Sequence, residues 1–327
     1  MTWTSNVAFV ASSLLNHAQS ESLDLELMNH RRCLARFLCN TSGSGKTRLI
    51  LEGLVRTWGF YFTARNEPDD VGSEDLQKVL NGLHGALVNL GDAKDKTGAL
   101  FENVKIARHR FLSILYARIL IFRVFLSCVA EQPGGLSPSH KESWLLLQVN
   151  PKFFGEPDVF YDLARKIASS VEWASMLSAV ESEMETVKAQ LEPNSHIFCV
   201  IDEAQIPAGL YPTNFLSEQG QPRPVIREIV RTWSDILPRL ILSGTGLSID
   251  VLETAVGSVV AKEGPAPITI SDVGAFDSAQ EQQYYLEQYL PPGFVKTESG
   301  KCLMTRAALW LRGRYVNMLS MQRKYSS

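Results

Sequence analysis

The run Thr41-Ser42-Gly43-Ser44-Gly45-Lys46-Thr47 governs the reading of everything around it. Its two glycines and small residues let the backbone curl until several N–H groups aim at one point, the geometry that holds an anion. Lys46 is placed to reach the outer phosphates of a nucleotide, and the Thr47 hydroxyl to hold Mg²⁺. Ser42, Gly43, Ser44 and Gly45 supply the cradle. Arg48 to Val55 has helical spacing, so the loop opens a helix whose positive dipole end faces the phosphates. Cys33 to Cys39 reads as the buried strand that delivers the chain to the loop. The usual pattern, G-x-x-x-x-G-K-[ST], places its first glycine where Asn40 stands, and asparagine is among the few other residues that tolerate a left-handed backbone.

A second run supports the first. His196-Ile197-Phe198-Cys199-Val200-Ile201-Asp202-Glu203 is apolar until it ends in two carboxylates, the form of a buried parallel strand carrying acids to the end of a sheet. Asp202 is then the residue of the Mg²⁺ shell. Glu203 is the general base that polarises the attacking water. Pro238 to Gly246 is another apolar strand ending in small polar residues. Ser243 and Thr245 are its candidates for sensing the γ-phosphate, and a plain serine-glycine turn after a core strand is the competing reading.

These runs predict an α/β fold, a mostly parallel central sheet flanked by helices. Trp58 to Thr63 is a second strand and Pro267 to Ile270 a fifth. The loop strand is expected beside the Ser243 strand, with the Asp202 strand on the far side of it. Residues 74–190 read as a large helical insertion, with Ser73 capping its first helix and a break at Gln132-Pro133-Gly134-Gly135. Ala208 to Pro224 reads as an irregular loop, Val225 to Ile236 as an amphipathic helix, and Gln280 to Leu290 and Leu303 to Met318 as carboxy-terminal helices. The division is a peripheral helical segment (1–30), a core with its insertion (31–276) and a small helical extension (277–327).

Composition limits the function. With 327 residues, 45% of them hydrophobic, the chain can bury a large core. A net charge of −3 gives no global basic field, so nucleic-acid binding is unsupported. Cys33, Cys39, Cys128, Cys199 and Cys302 are scattered, with no C-x-x-C pair, and the six histidines show no ligand spacing, which fits core thiols in a reducing, intracellular compartment (cytoplasm or nucleus). No basic residue precedes Arg31, so a secretory signal is not expected. Phe111 to Ala130 is the most apolar helix, but Arg118 and Arg123 argue for a buried helix and no membrane span.

The constellation resembles the P-loop NTPase domain of Crinkler-type effector proteins and their transposon-related fungal relatives, within the class that carries an additional strand between loop and acid strands. The resemblance rests on the runs above with Trp58-Gly59-Phe60-Tyr61-Phe62, Gly72-Ser73-Glu74-Asp75-Leu76, Trp144-Leu145-Leu146-Leu147-Gln148, Asp202-Glu203-Ala204-Gln205, Ser243-Gly244-Thr245-Gly246 and Trp310-Leu311-Arg312-Gly313-Arg314-Tyr315. It implies an ATPase module with ATP and Mg²⁺ as cofactors. It also gives Arg314, and less readily Arg312, a role like the second sensor arginine of related ATPases, against the plain reading of a solvated basic helix end. No compact acid-and-lysine nuclease motif follows Tyr315, so the nuclease-like activity of some relatives is not expected here. The leading expectation is Mg-ATP binding and hydrolysis. The alternative is a low-turnover nucleotide switch or scaffold that recruits a protein partner through the insertion, alone or as an oligomer. Asp202-Glu203-Ala204-Gln205 also resembles a helicase acid box, but residues 246–327 are too few for a second helicase core.

Overall fold

The computed structural model describes residues 35–40, 45–65, 71–155, 157–193, 195–217, 219–237, 239–245, 268–270, 279–287 and 290–310. Its centre is a five-stranded sheet made of β1 (Ala35–Asn40), β2 (Trp58–Thr63), β3 (Ile197–Asp202), β6 (Leu240–Thr245) and β7 (Ile268–Ile270). The order is β2-β3-β6-β1-β7 and every pairing is parallel. β6 therefore separates β1 from β3, as the sequence predicts. The first strand ends at Asn40, one residue past the predicted Cys39, and Cys33 and Leu34 lie outside the described residues.

Alternation along the strands divides the core into two layers. Phe37, Phe60, Phe62, Cys199, Ile201, Leu240 and Leu242 face one side, packed with the long helix α3 (Lys96–Ala130), α6 (Trp173–Gln190) and α8 (Ile226–Ser234). Leu38, Tyr61, Phe198, Val200 and Ile241 face the other, against Leu49, Ile50, Leu51 and Leu54 of α1 (Lys46–Arg56). Gly59 is required where α1 packs on the sheet. A Cβ there would lie 2.5 Å from the Leu54 side chain and 2.8 Å from the Phe198 carbonyl oxygen.

Between β2 and β3 the insertion comprises α2 (Asp75–Leu83), α3, α4 (Pro138–Val149), α5 (Val159–Ser170) and α6, with a 3-10 turn at Pro151–Phe154. Its first helix differs slightly from expectation. Glu74, not Ser73, is the N-cap, although Ser73 Oγ still accepts the Asp75 N–H at 3.2 Å. α3 has the length and composition of a membrane-crossing helix, yet 56% of its most apolar window is buried inside the protein. Arg118, in that window, is fully buried against Asp75 at 2.8 Å, and Arg123 pairs with Glu183 at 2.5 Å.

Residues 205–224 are more ordered than the expected loop. They hold α7 (Gln205–Gly209) and an antiparallel pair, β4 (Phe215–Leu216) with β5 (Pro222–Arg223), because Ser217 Oγ accepts the N–H groups of Gln219 and Gln221 and tightens the turn. After β7 come α9 (Ala279–Glu287), a 3-10 turn (Phe294–Lys296) and α10 (Glu298–Trp310). The amino-terminal segment 1–30 lies outside the described residues, as does the part of the last predicted helix after Trp310.

Candidate functional site

Three strands end at one place. β1 delivers the chain to the glycine loop, β3 ends at Asp202 and β6 at Thr245, all at the carboxyl edge of the parallel sheet, where open α/β sheets bind ligands. By alternation Tyr61, Asp202, Ser243 and Thr245 point to the α1 side.

α1 begins at Lys46 because Gly45, at φ 92°, turns the chain left-handed before it, and the Gly45 carbonyl accepts the first helical bond from the Leu49 N–H at 2.9 Å. Lys46 is only 6% exposed. Burial pushes its ammonium below the ordinary lysine range, and Asp202, Glu203 and Cys39 pull it back up. Ser42, Gly43 and Ser44 lie outside the described residues, as do Arg312 and Arg314.

Asp202 is 4% exposed and its carboxylate is fixed from three directions. Thr47 Oγ1 donates to its Oδ2 at 2.9 Å across 155 positions of sequence, and the Tyr61 hydroxyl donates to the same oxygen at 3.1 Å. The Glu203 N–H donates to Oδ1 at 3.0 Å. Glu203 itself sits at φ 56°, a left-handed conformation rare for a side chain of this size. Its half-buried carboxylate accepts from the Gln205 amide, and the Gln205 carbonyl accepts the Thr245 N–H at 3.1 Å. The Ala204 N–H adds a bond of 2.8 Å to the Ser243 carbonyl, so the acid turn is stitched to the end of β6. Ser243 Oγ is fully buried with no hydrogen-bond partner, whereas Thr245 is half-buried.

The structure thus brings Gly45, Lys46, Thr47, Asp202, Glu203, Ser243 and Thr245 to one end of the sheet. Tyr61 and Gln205 carry bonds that the sequence did not assign to them. Gln205 was legible in principle as a polar residue just after the acid pair. No pattern links Tyr61 to Asp202, since the pairing exists only through the β2–β3 register, in which Thr63 lies opposite Asp202.

The oxygen donors present suit Mg²⁺. That ion takes hard oxygen ligands and completes its octahedron with phosphate oxygens and water, so one hydroxyl and one carboxylate are a sufficient protein contribution. Among the described residues no group of three or more His, Cys, Asp or Glu forms a ready-made metal cage. No protein-family model matches the chain, and no curated protein matches it.

Proposed function

We propose that this chain is a P-loop ATPase of the class with a strand interposed between loop and acid strands, binding Mg-ATP and hydrolysing its γ-phosphate. The observation that carries the reading is the 2.9 Å bond from Thr47 Oγ1 to Asp202 Oδ2, made beside the buried Lys46. These groups come from distant parts of the chain, and each is the residue type the chemistry requires at its position. Thr47 and Asp202 would hold Mg²⁺, which when bound neutralises charge on the phosphates. Lys46 draws the phosphates in and stabilises the charge that spreads over the transferred group.

Glu203 is the general base. Because β6 lies between β1 and β3, the acid turn is offset from the loop by the width of a strand, and the offset leaves room for water between carboxylate and phosphate. Gln205 fixes the Glu203 carboxylate and ties it to the Thr245 backbone. Ser243 and Thr245 are the γ-phosphate sensors of this reading, with Arg314 as a further candidate, and the insertion is the surface for a protein partner.

The low-turnover switch has one observation of its own: Glu203 is restrained by Gln205. Multiple-turnover phosphate release separates the two readings. On the ATPase reading, Lys46→Ala loses nucleotide binding in titration calorimetry with the fold intact. Glu203→Gln keeps binding and slows hydrolysis by about a hundred-fold. Unchanged affinity in Lys46→Ala refutes the site; turnover equal to the parent in Glu203→Gln removes Glu203 as base.

A further inference from the structure

β2 is the outermost strand of the sheet on its side, so Gly59 and Tyr61 present a carbonyl and an N–H to its free edge. The edge is closed by a side chain. Gln148 of α4 accepts the Tyr61 N–H at 2.9 Å through Oε1 and donates to the Gly59 carbonyl at 3.1 Å through Nε2. Its amide stands where a sixth strand's peptide group would stand. Trp144, one turn earlier in α4, donates to the same Gly59 carbonyl at 2.8 Å. α4 therefore grips both faces of the edge, with Trp144 packed in one core layer and Leu145 in the other.

The backbone that Gln148 holds belongs to the residue whose hydroxyl holds Asp202. Tyr61 is 2% exposed, and its phenol spans from the gripped edge of β2 to Asp202 Oδ2. That oxygen has two lone-pair directions, and Thr47 and Tyr61 occupy both. Oδ1, held on one side by the Glu203 N–H, keeps its second lone pair. Without the phenol, the carboxylate can rotate away from that arrangement. Gln148 Oε1 is further engaged by Arg118 Nη1 at 3.3 Å, and Arg118 by Asp75, so the α4 amide is itself braced by α2 and α3.

We infer that Tyr61 is a positioning residue for the Mg²⁺ carboxylate, and that Gln148 sets its reach, so that the seating of the helical insertion on β2 governs how tightly the site takes the metal. The inference rests on the Mg-ATP reading and adds to it a route by which an event on the insertion, such as partner binding, changes nucleotide handling.

The test is a Mg²⁺ titration of the full chain with a fluorescent ATP analogue, read as nucleotide binding. Tyr61→Phe removes one hydroxyl and keeps the ring, so the fold survives. It is expected to raise the Mg²⁺ concentration at half-saturation on the order of ten-fold, as the loss of one hydrogen bond to a charged group implies, with metal-free nucleotide affinity unchanged. Gln148→Met is expected to shift Mg²⁺ dependence the same way and to add nothing in the Tyr61→Phe background. A Tyr61→Phe titration that superimposes on the parent, or one that weakens metal-free and Mg²⁺-bound nucleotide alike, overturns the positioning role. Additive effects of the two substitutions overturn the link to the insertion. A parent protein with no Mg²⁺-dependent nucleotide binding overturns the functional reading and this inference with it, before any variant is made.

Discussion

Replacing Arg118 by methionine should be the most damaging conservative-volume change in the insertion, and its cost can be worked out. The guanidinium is fully buried, bonded to Asp75 through Nε at 2.8 Å and to Gln148 through Nη1, and stacked 3.9 Å from the Phe160 ring and 4.7 Å from that of Phe62. Methionine retains the apolar stem and removes the charge, leaving the wholly buried Asp75 carboxylate with only the Leu76 N–H at 2.7 Å. Breaking a buried ion pair from one side costs about 3–5 kcal/mol. Burial already pushes the Asp75 carboxyl above its usual range, and Arg118 is the main influence pulling it back. In the variant only the Leu76 N–H remains to oppose the upward influences of burial and Asp158. A carboxyl raised in the folded state contributes stability below its unfolded value and loses it as pH rises through its folded value. The deficit should therefore be smallest below about pH 4, where only the Gln148 bond and the ring contacts are lost, and grow above it, by up to ~1.4 kcal/mol per pH unit until Asp75 ionises in the folded state. Arg118→Met with Asp75→Asn should recover most of the loss, since neither charge remains. Urea unfolding by far-UV circular dichroism at several pH values is the assay. A single variant within about 1 kcal/mol of the parent at neutral pH, or a double variant whose cost equals the sum of the singles, refutes the reasoning.

On the ATPase reading Glu203→Gly should abolish hydrolysis, and it should leave the thermal midpoint equal or higher, because releasing the left-handed strain at φ 56° is worth about 1 kcal/mol, partly offset by glycine's freedom when unfolded; a midpoint several degrees lower argues against strain there. Native thiol labelling near pH 8 should modify the exposed Cys128 and Cys302 quickly, and Cys39 and Cys199 only after unfolding, since burial pushes both of the latter thiols up and keeps them protonated. Fast labelling of Cys39 by mass spectrometry contradicts the packing drawn for the end of β1.

The strands and the place of the acid pair were legible because each strand is a short apolar run that ends in polar residues, and burial on both faces leaves such runs no other place than a parallel sheet. Trp58–Thr63 needs no correction, and Ile197–Asp202 begins one residue after the predicted run, at Ile197 instead of His196. The interposed strand followed from the acid pair and the Ser243 strand together. What escaped were features set by register and long-range packing. Tyr61 reads as one more aromatic in a core strand, and Gln148 as one more polar residue on a helix, because neither spacing nor propensity reports a bond made across 87 positions. The 215–223 hairpin was hidden by glycine and proline, which mark turns without showing that the flanking residues pair.

The strand order has a consequence for how the chain is made. β1 finds its sheet partners only in β6 and β7, and Leu240, the partner of Ala35, leaves the ribosome roughly 200 residues later, some 10–40 s at ordinary synthesis rates. Throughout that interval the strand that leads into Lys46 has neither ladder, and α2 to α6 are all made within it, some 50 residues before its end. β1 is thus among the last strands of the sheet to gain its partners. Synthesis completes β2 and the helical layer before β6 and β7 emerge, so the half of the sheet that carries the proposed site is assembled on a scaffold that exists before it.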